Sequence, residues 1–448
     1  MDDLETIAII GGGYAGCAAA VTLAAKGVPC VVFETAPMLG GRARRVERDG
    51  LALDNGQHLL LGAYARMFEL IGRVHKSPHA TYLRRPLAIT PFVPGQPDAL
   101  TLQARRAPGR LGMLVGLLAA RGLSWRERIA NLKWFSAIQR ANFLRPHGET
   151  VAQLLAPLPP RVARLLWEPL NLAALNTPAA SASAQVFANV LRAAFAGRGD
   201  DSDFVVPMTD LSDFFPEAAS AYVTARGGAV KTDTRAQVVR ADRTAATVAA
   251  DGTAIRARAV IVAVGGHQIA QAFAPEALDA HPPLAAAIDA MQLLAFEPIV
   301  TIWLGYPNPV DMPGPVARLD DAPGQWVLDR PDILAKSQRT DLSQLLAVVI
   351  SAHGPHMALS HDALIAATDA QLRRLLPSLA PCAWSFVISE KRATYACTPH
   401  RPHPGGPRFA PGVYLAGDYV DTEFPSTLEA AVRSGIAAAE AVLSDTRV

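Results

Sequence analysis

Three glycines and an acid have the types and spacing to hold a dinucleotide. In Thr6-Ile-Ala-Ile-Ile-Gly-Gly-Gly-Tyr-Ala-Gly16 an apolar run enters a glycine turn and continues into an alanine-rich stretch, and Glu34 closes the next apolar run, Cys30-Val-Val-Phe33. Gly11 allows the tight turn, Gly13 lets backbone approach a pyrophosphate, and Gly16 lets the helix pack closely on the strand. Ala15 falls in the first helical turn, whose unpaired N–H groups favour an anion. Glu34 stands roughly twenty residues past the glycines, where a contact to ribose hydroxyls requires an acid. Further along, Asp54-Asn-Gly-Gln-His58 sets a carboxyl and an imidazole between two apolar segments. Polar side chains in such a place need a ligand or a hydrogen-bond network, and either group is equipped to move a proton.

The elements that must position these residues are a strand, a glycine turn, a helix and a second strand, which predicts an α/β, Rossmann-like nucleotide-binding domain. The chain has 448 residues, enough for two or three domains or an interleaved pair with a large core. A formal charge of +2 gives no electrostatic argument for nucleic acid, and half the residues are apolar, as in a globular enzyme. Cys17, Cys30, Cys382 and Cys397 show neither zinc-ligand spacing nor the density of a disulfide scaffold, which predicts reduced thiols, no metal and a cytoplasmic protein. Acids stand before the first strand where an export signal would carry positive charge, so no such signal is expected. The apolar run Leu111 to Ala120 is too short to span a bilayer.

Two further stretches carry a resemblance. Met38-Leu-Gly-Gly-Arg-Ala43 is a second glycine turn followed by an arginine. Near the other end, Val413-Tyr-Leu-Ala-Gly-Asp418 reads as a strand closing in Gly-Asp, and Ser426-Thr-Leu-Glu-Ala-Ala-Val-Arg-Ser-Gly435 opens a helix. Together with the first turn they resemble the flavoprotein superfamily of amine oxidases, carotenoid desaturases and protoporphyrinogen oxidase. Asp54 to His58 with Leu-Leu-Leu-Gly62 behind it, and Trp167-Glu-Pro-Leu-Asn-Leu-Ala-Ala-Leu-Asn-Thr-Pro178, resemble one branch, the hydroxysqualene dehydroxylases. The resemblance implies non-covalent FAD, with Gly41 and Arg42 at the pyrophosphate and Gly56, Gln57 and His58 at the isoalloxazine ring. It further implies the Val238 backbone at the adenine, Gly417 and Asp418 at ribityl or phosphate oxygens, and the helix N-terminus at Leu428 facing the flavin pyrimidine.

This reading predicts a discontinuous FAD-binding domain over 1–80, 205–289 and 391–448, interleaved with an α+β substrate domain over 81–204 and 290–390. The implied reaction is reductive dehydroxylation of hydroxysqualene to squalene, with Asp54, His58 and Glu168 as candidate acids. A carotenoid-type desaturase or amine oxidase could use the same scaffold. Prenyl-binding escort proteins share the architecture without flavin chemistry, and the intact pyrophosphate residues speak against that alternative. Ser124-Trp-Arg-Glu127 predicts a capping box. The run from Leu111, flanked by Arg105, Arg106, Arg110 and Arg121, reads as a buried core helix, with peripheral contact to the cytoplasmic membrane as the alternative. Cys397 is expected to carry no covalent flavin. No nicotinamide site is legible, which leaves the electron donor and the oligomeric state unassigned.

Overall fold

The computed structural model describes residues 5–93, 99–104 and 111–446. The chain opens with strand β1 (Ile7–Ile10), helix α1 (Tyr14–Ala25), strand β2 (Cys30–Phe33), strand β3 (Leu51–Asp54) and helix α2 (Ala65–Val74). Helices then dominate through α3 (Leu111–Ala119), α4 (Trp125–Arg140), α5 (Glu168–Leu175) and α6 (Ala184–Phe195). Strands β4 (Ala229–Lys231), β5 (Ala236–Ala241) and β6 (Ala259–Val262) follow. After them come β7 (Phe296–Tyr306), β8 (Val316–Arg318), β9 (Trp326–Asp329), β10 (Gln344–Ser351) and β11 (Trp384–Tyr395). The chain closes with β12 (Arg408–Ala410), β13 (Val413–Leu415) and helix α7 (Leu428–Asp445).

Six strands in the order β4-β2-β1-β6-β13-β12 form the first sheet, drawn from both ends and the middle of the sequence. β1 runs parallel to both β2 and β6, with Ile9 level with Val32 and Ile261. Every residue of β1, β2 and β6 is buried, as expected for strands covered on both faces. α1 and α7 lie together on one face, where a side chain at Gly435 would collide with the Ala15 carbonyl. Such close packing aims the N-termini of both helices at one place. The second sheet is antiparallel, in the order β8-β9-β10-β7-β11, and Trp167 and Phe135 stack in the helical layer beside it.

Local chemistry explains several details. Ser124 and Glu127 form the reciprocal capping box that starts α4. The segment from 211 to 224 forms two helices, Leu211–Phe214 and Pro216–Thr224, because Pro216 has no N–H to continue the ladder. The run from Leu111 is only half a core helix: Gly116 and Leu117 are buried, whereas Val115 and Leu118 face outward. Arg105, Arg106 and Arg110 lie outside the described residues.

Candidate active site

The turn after β1 needs glycine for reasons the backbone makes plain. Gly11 has φ +108°, and a side chain at Gly16 would strike the Gly11 carbonyl. Gly13 is different: a Cβ there would meet only the Gly41 Cα, 3.9 Å away, so it faces open space between the two glycine turns. No side chain caps α1, and Gly13, Tyr14 and Ala15 line a cavity of about 800 Å³. Unpaired amides at a helix N-terminus beside two bare glycine backbones suit a pyrophosphate. Glu34 Oε2 accepts from the Gly12 amide at 2.7 Å and Oε1 from the Ala36 amide at 2.8 Å, which fixes the carboxylate at the cavity wall.

Past Gly41 the cavity meets Arg42, Asp418, Ser426 and Leu428. Arg42 Nη2 lies 2.6 Å from Asp418 Oδ1, and Nη1 donates to the Ala393 carbonyl at 2.8 Å. Burial works against the charge on Arg42, and Asp418, with Glu390 and Tyr395 behind it, outweighs burial. The Ser426 hydroxyl donates to the other Asp418 oxygen. Gly417, Gly56, Gln57 and His58 also line the cavity. His58 Nδ1 is 2.9 Å from the Gly56 carbonyl, which can only accept, so Nδ1 carries the hydrogen. Burial lowers the His58 pKa, the Gly56 bond partly offsets this, and Arg42 lowers it further. The imidazole is therefore neutral near pH 7, with no hydrogen on Nε2. Beyond this polar region the walls turn apolar, with Leu59, Leu170, Ala174, Phe187, Leu191, Phe195 and Trp326 among them.

Several expected residues stand elsewhere. Asp54 does not line the cavity; it is 1 % exposed, its Oδ2 lies 2.7 Å from Arg330 Nη1, and its Oδ1 accepts the Leu211 amide at 2.8 Å. Burial raises its pKa, with Arg330 and the Leu211 amide opposing, but the carboxyl is turned to Arg330 and Leu211 and does not face the cavity, so it has no substrate within reach. Glu168 is exposed at the start of α5, away from the cavity, so it cannot be a buried acid. Val238 is buried in β5, its carbonyl accepts the Ala274 amide, and the cavity touches Arg235 and Ala236 instead. Gly16 sits behind the turn and serves packing. Cys397 is fully buried outside the lining, and burial pushes its thiol up to about 11. Sequence reasoning missed Arg330, in Asp329-Arg-Pro-Asp332, and Glu390, which lines the cavity from β11. Among the described residues no cluster of His, Cys, Asp or Glu is able to hold a metal.

Fold and cavity together define an FAD-dependent oxidoreductase with a long apolar pocket continuing from its nucleotide cradle. A model of flavin containing amine oxidoreductases matches residues 14–443, and the chain belongs to that family. It is 26% identical over 452 residues to a hydroxysqualene dehydroxylase of Rhodopseudomonas palustris and 25% identical over 464 residues to one of Sinorhizobium fredii, in each case covering 99% of both chains. In fold it is similar to an oxidoreductase from Methanosarcina mazei, with a TM-score of 0.72, 16% identity and coverage of 98% of this chain and 100% of that one.

Proposed function

We propose that the protein reduces a long allylic terpenoid alcohol, hydroxysqualene, to the hydrocarbon squalene, within squalene and hopanoid biosynthesis. The observation that carries this reading is the change of wall along one cavity, from charged and glycine-rich at the nucleotide end to leucine, phenylalanine and alanine at the other. When bound in its reduced form, FAD supplies the hydride. The chain's own residues hold it: Glu34 takes ribose hydroxyls, and the amides from Gly13 to Ala15 with Arg42 take phosphate. The apolar walls bind the hydrocarbon and keep water from a carbocation. Anaerobic incubation of dithionite-reduced holoenzyme with hydroxysqualene, followed by mass analysis, tests the proposal. Squalene is the expected product, and none would overturn it. A carotenoid-type desaturase or amine oxidase would instead reduce its bound flavin on mixing with polyene or amine. An escort-type binding protein would show no flavin bands, even after FAD is added.

We further infer a peripheral contact with an anionic bilayer through α3 and α4. No described helix is long and apolar enough to cross a membrane. Trp125 is 67% exposed and Ile129 48%, and Val115 and Leu118 beside them also stand out. Arg126, Lys133 and Arg140 on α4 and Arg121 between the two helices are exposed as well. Exposed apolar residues accompanied by positive charge suit the headgroup region. Co-sedimentation with phosphatidylglycerol vesicles, lost in Trp125→Glu/Ile129→Glu, is expected; equal pelleting of both proteins would overturn it.

A further inference from the structure

Removing Asp54 and Glu168 leaves the proposed dehydroxylation without its acid. Hydroxide is a poor leaving group, so the alcohol oxygen must take a proton as its bond to carbon breaks. Among the described residues three carboxyl groups line the cavity: Glu34, Glu390 and Asp418. Glu34 is bound by two backbone amides and belongs to the ribose end. Asp418 is held by Arg42 and Ser426. Glu390 makes no ion pair as close as that of Asp418: it interacts with the Arg42 charge at longer range, and its oxygens accept only long hydrogen bonds, Oε2 from Asn55 Nδ2 at 3.3 Å and Oε1 from the Arg392 amide at 3.2 Å.

Its position in the sheet is as informative as its partners. Glu390 on β11 pairs with Ile299 on β7, which pairs with Ser351 on β10, so these three stand in one row across the sheet. The next row on the same face of the sheet holds Ile388, Thr301, Val349 and Trp326, of which Val349 and Trp326 line the cavity. On its other side Glu390 touches Asn55, whose amide also donates to the Arg42 carbonyl at 3.0 Å. Glu390 therefore stands where the nucleotide cradle gives way to the hydrocarbon pocket. The alternatives are poorer donors. His58 presents an unprotonated Nε2, burial and Arg392 lower the pKa of His267, and Tyr14 gives its hydroxyl to the Leu211 carbonyl.

The geometry points to Glu390 as the proton donor to the substrate hydroxyl and, once ionised, as the counter-charge to the allylic cation; this rests on the dehydroxylation proposed above. The proton leaves a Glu390 oxygen for the alcohol oxygen. The C–O bond then breaks with its electron pair on the departing water. The electron-deficient carbon takes the hydride supplied by reduced flavin, whose oxidation balances the two electrons. Each turnover thus consumes one alcohol, one proton and one hydride, and releases one hydrocarbon and one water. Glu390 regains its proton from solvent.

Two measurements on FAD-loaded protein test this. Single turnover of dithionite-reduced Glu390→Gln is expected to fall about 100-fold or more, the usual worth of a general acid, with partial recovery of Glu390→Ala by added acetate. The second needs no turnover: an isoprenoid tertiary amine, whose ammonium carries the charge of the cation, is titrated into oxidised holoenzyme by calorimetry. It is expected to bind Glu390→Gln about tenfold more weakly than wild type, while squalene binds both alike. Wild-type turnover in Glu390→Gln, or equal amine affinity in both proteins, would overturn the assignment. If wild type itself makes no squalene, the dehydroxylation reading fails, and amine affinity still reports whether Glu390 faces the pocket.

Discussion

Arg330 Nη1 lies 2.7 Å from Asp54 Oδ2 and donates at the same distance to Gln57 Oε1, so one buried guanidinium joins the strand β3 acid to a cavity-lining amide. The other side of Arg330 is held by Asp332, with both contacts at 2.9 Å. Removing the arginine would leave two buried carboxylates facing each other without a cation. Arg330→Met is expected to lose about 3–5 kcal/mol of stability, the usual cost of breaking a buried pair. Asp54→Asn should likewise lower the melting temperature, yet keep turnover per bound flavin within a few-fold of wild type. A stable Asp54→Asn with abolished turnover would restore the acid role that the structure denies it.

Gly13 and Glu34 separate space from charge. A Cβ at Gly13 would enter the gap facing Gly41, with the Gly41 Cα nearest at 3.9 Å. Gly13→Val is therefore expected to fold with a near-native melting temperature and to purify without flavin absorbance. Glu34→Ala should weaken FAD by about 1–3 kcal/mol through lost acceptors for the ribose, measured by titration of stripped protein. Because Glu34 also holds the Gly12 and Ala36 amides, some loss of stability without FAD should accompany it.

The glycine turn after β1 was legible in the chain because its glycine positions are dictated by backbone sterics, which act over a few residues and leave a pattern. The same holds for the capping box of Ser124 and Glu127. Asp54 was misread because a polar residue between apolar segments signals only that it needs a partner. The partner, Arg330, lies 276 positions away and was brought in by folding. Val238 stands outside the cavity lining and Ala236 within it, although both are buried on the same side of β5, and only the tertiary path of the strand decides which reaches the cavity. Glu390 gave no local signal: its role depends on the register of β11 with β7.

Glu429 supplies a pH dependence. Its carboxylate accepts the Arg66 amide at 3.1 Å and the Met67 amide at 2.8 Å, capping α2, yet burial raises its pKa from 4.5 to about 7. Below pH 4.5 the group is protonated whether folded or not. Between pH 4.5 and 7 the unfolded chain releases the proton and the folded one keeps it, so stability falls as pH rises, by about 3 kcal/mol in total. Thermal denaturation across this window should show that decline in wild type, and a smaller one in Glu429→Gln. Near pH 5 the folded wild type carries a neutral carboxyl, which glutamine mimics, so the two proteins should differ least there and diverge toward pH 7. Parallel curves for both proteins would place the titration elsewhere.

The apolar half of the cavity owes its width to small residues on two helices. Ala173 and Ala174 on α5 and Ala194 on α6 line it, with Leu170, Val190 and Leu191 beside them. They stand on α5 and α6, whereas Gly13, Glu34 and Arg42 belong to the turns around β1 and β2. Filling the hydrocarbon end should therefore leave the cofactor undisturbed. Ala174→Phe adds a ring where a long chain must pass, and the side chain has open cavity to occupy, so a loss of folding is not expected. We expect flavin content and visible spectrum as in wild type, with kcat/KM for hydroxysqualene reduced about 100-fold, the upper range for steric discrimination in an apolar pocket. A shorter allylic alcohol, which stops before the obstruction, should be reduced at a rate within a few-fold of wild type. Undiminished turnover of the long substrate by a flavin-replete Ala174→Phe would show that the chain takes another path from the flavin.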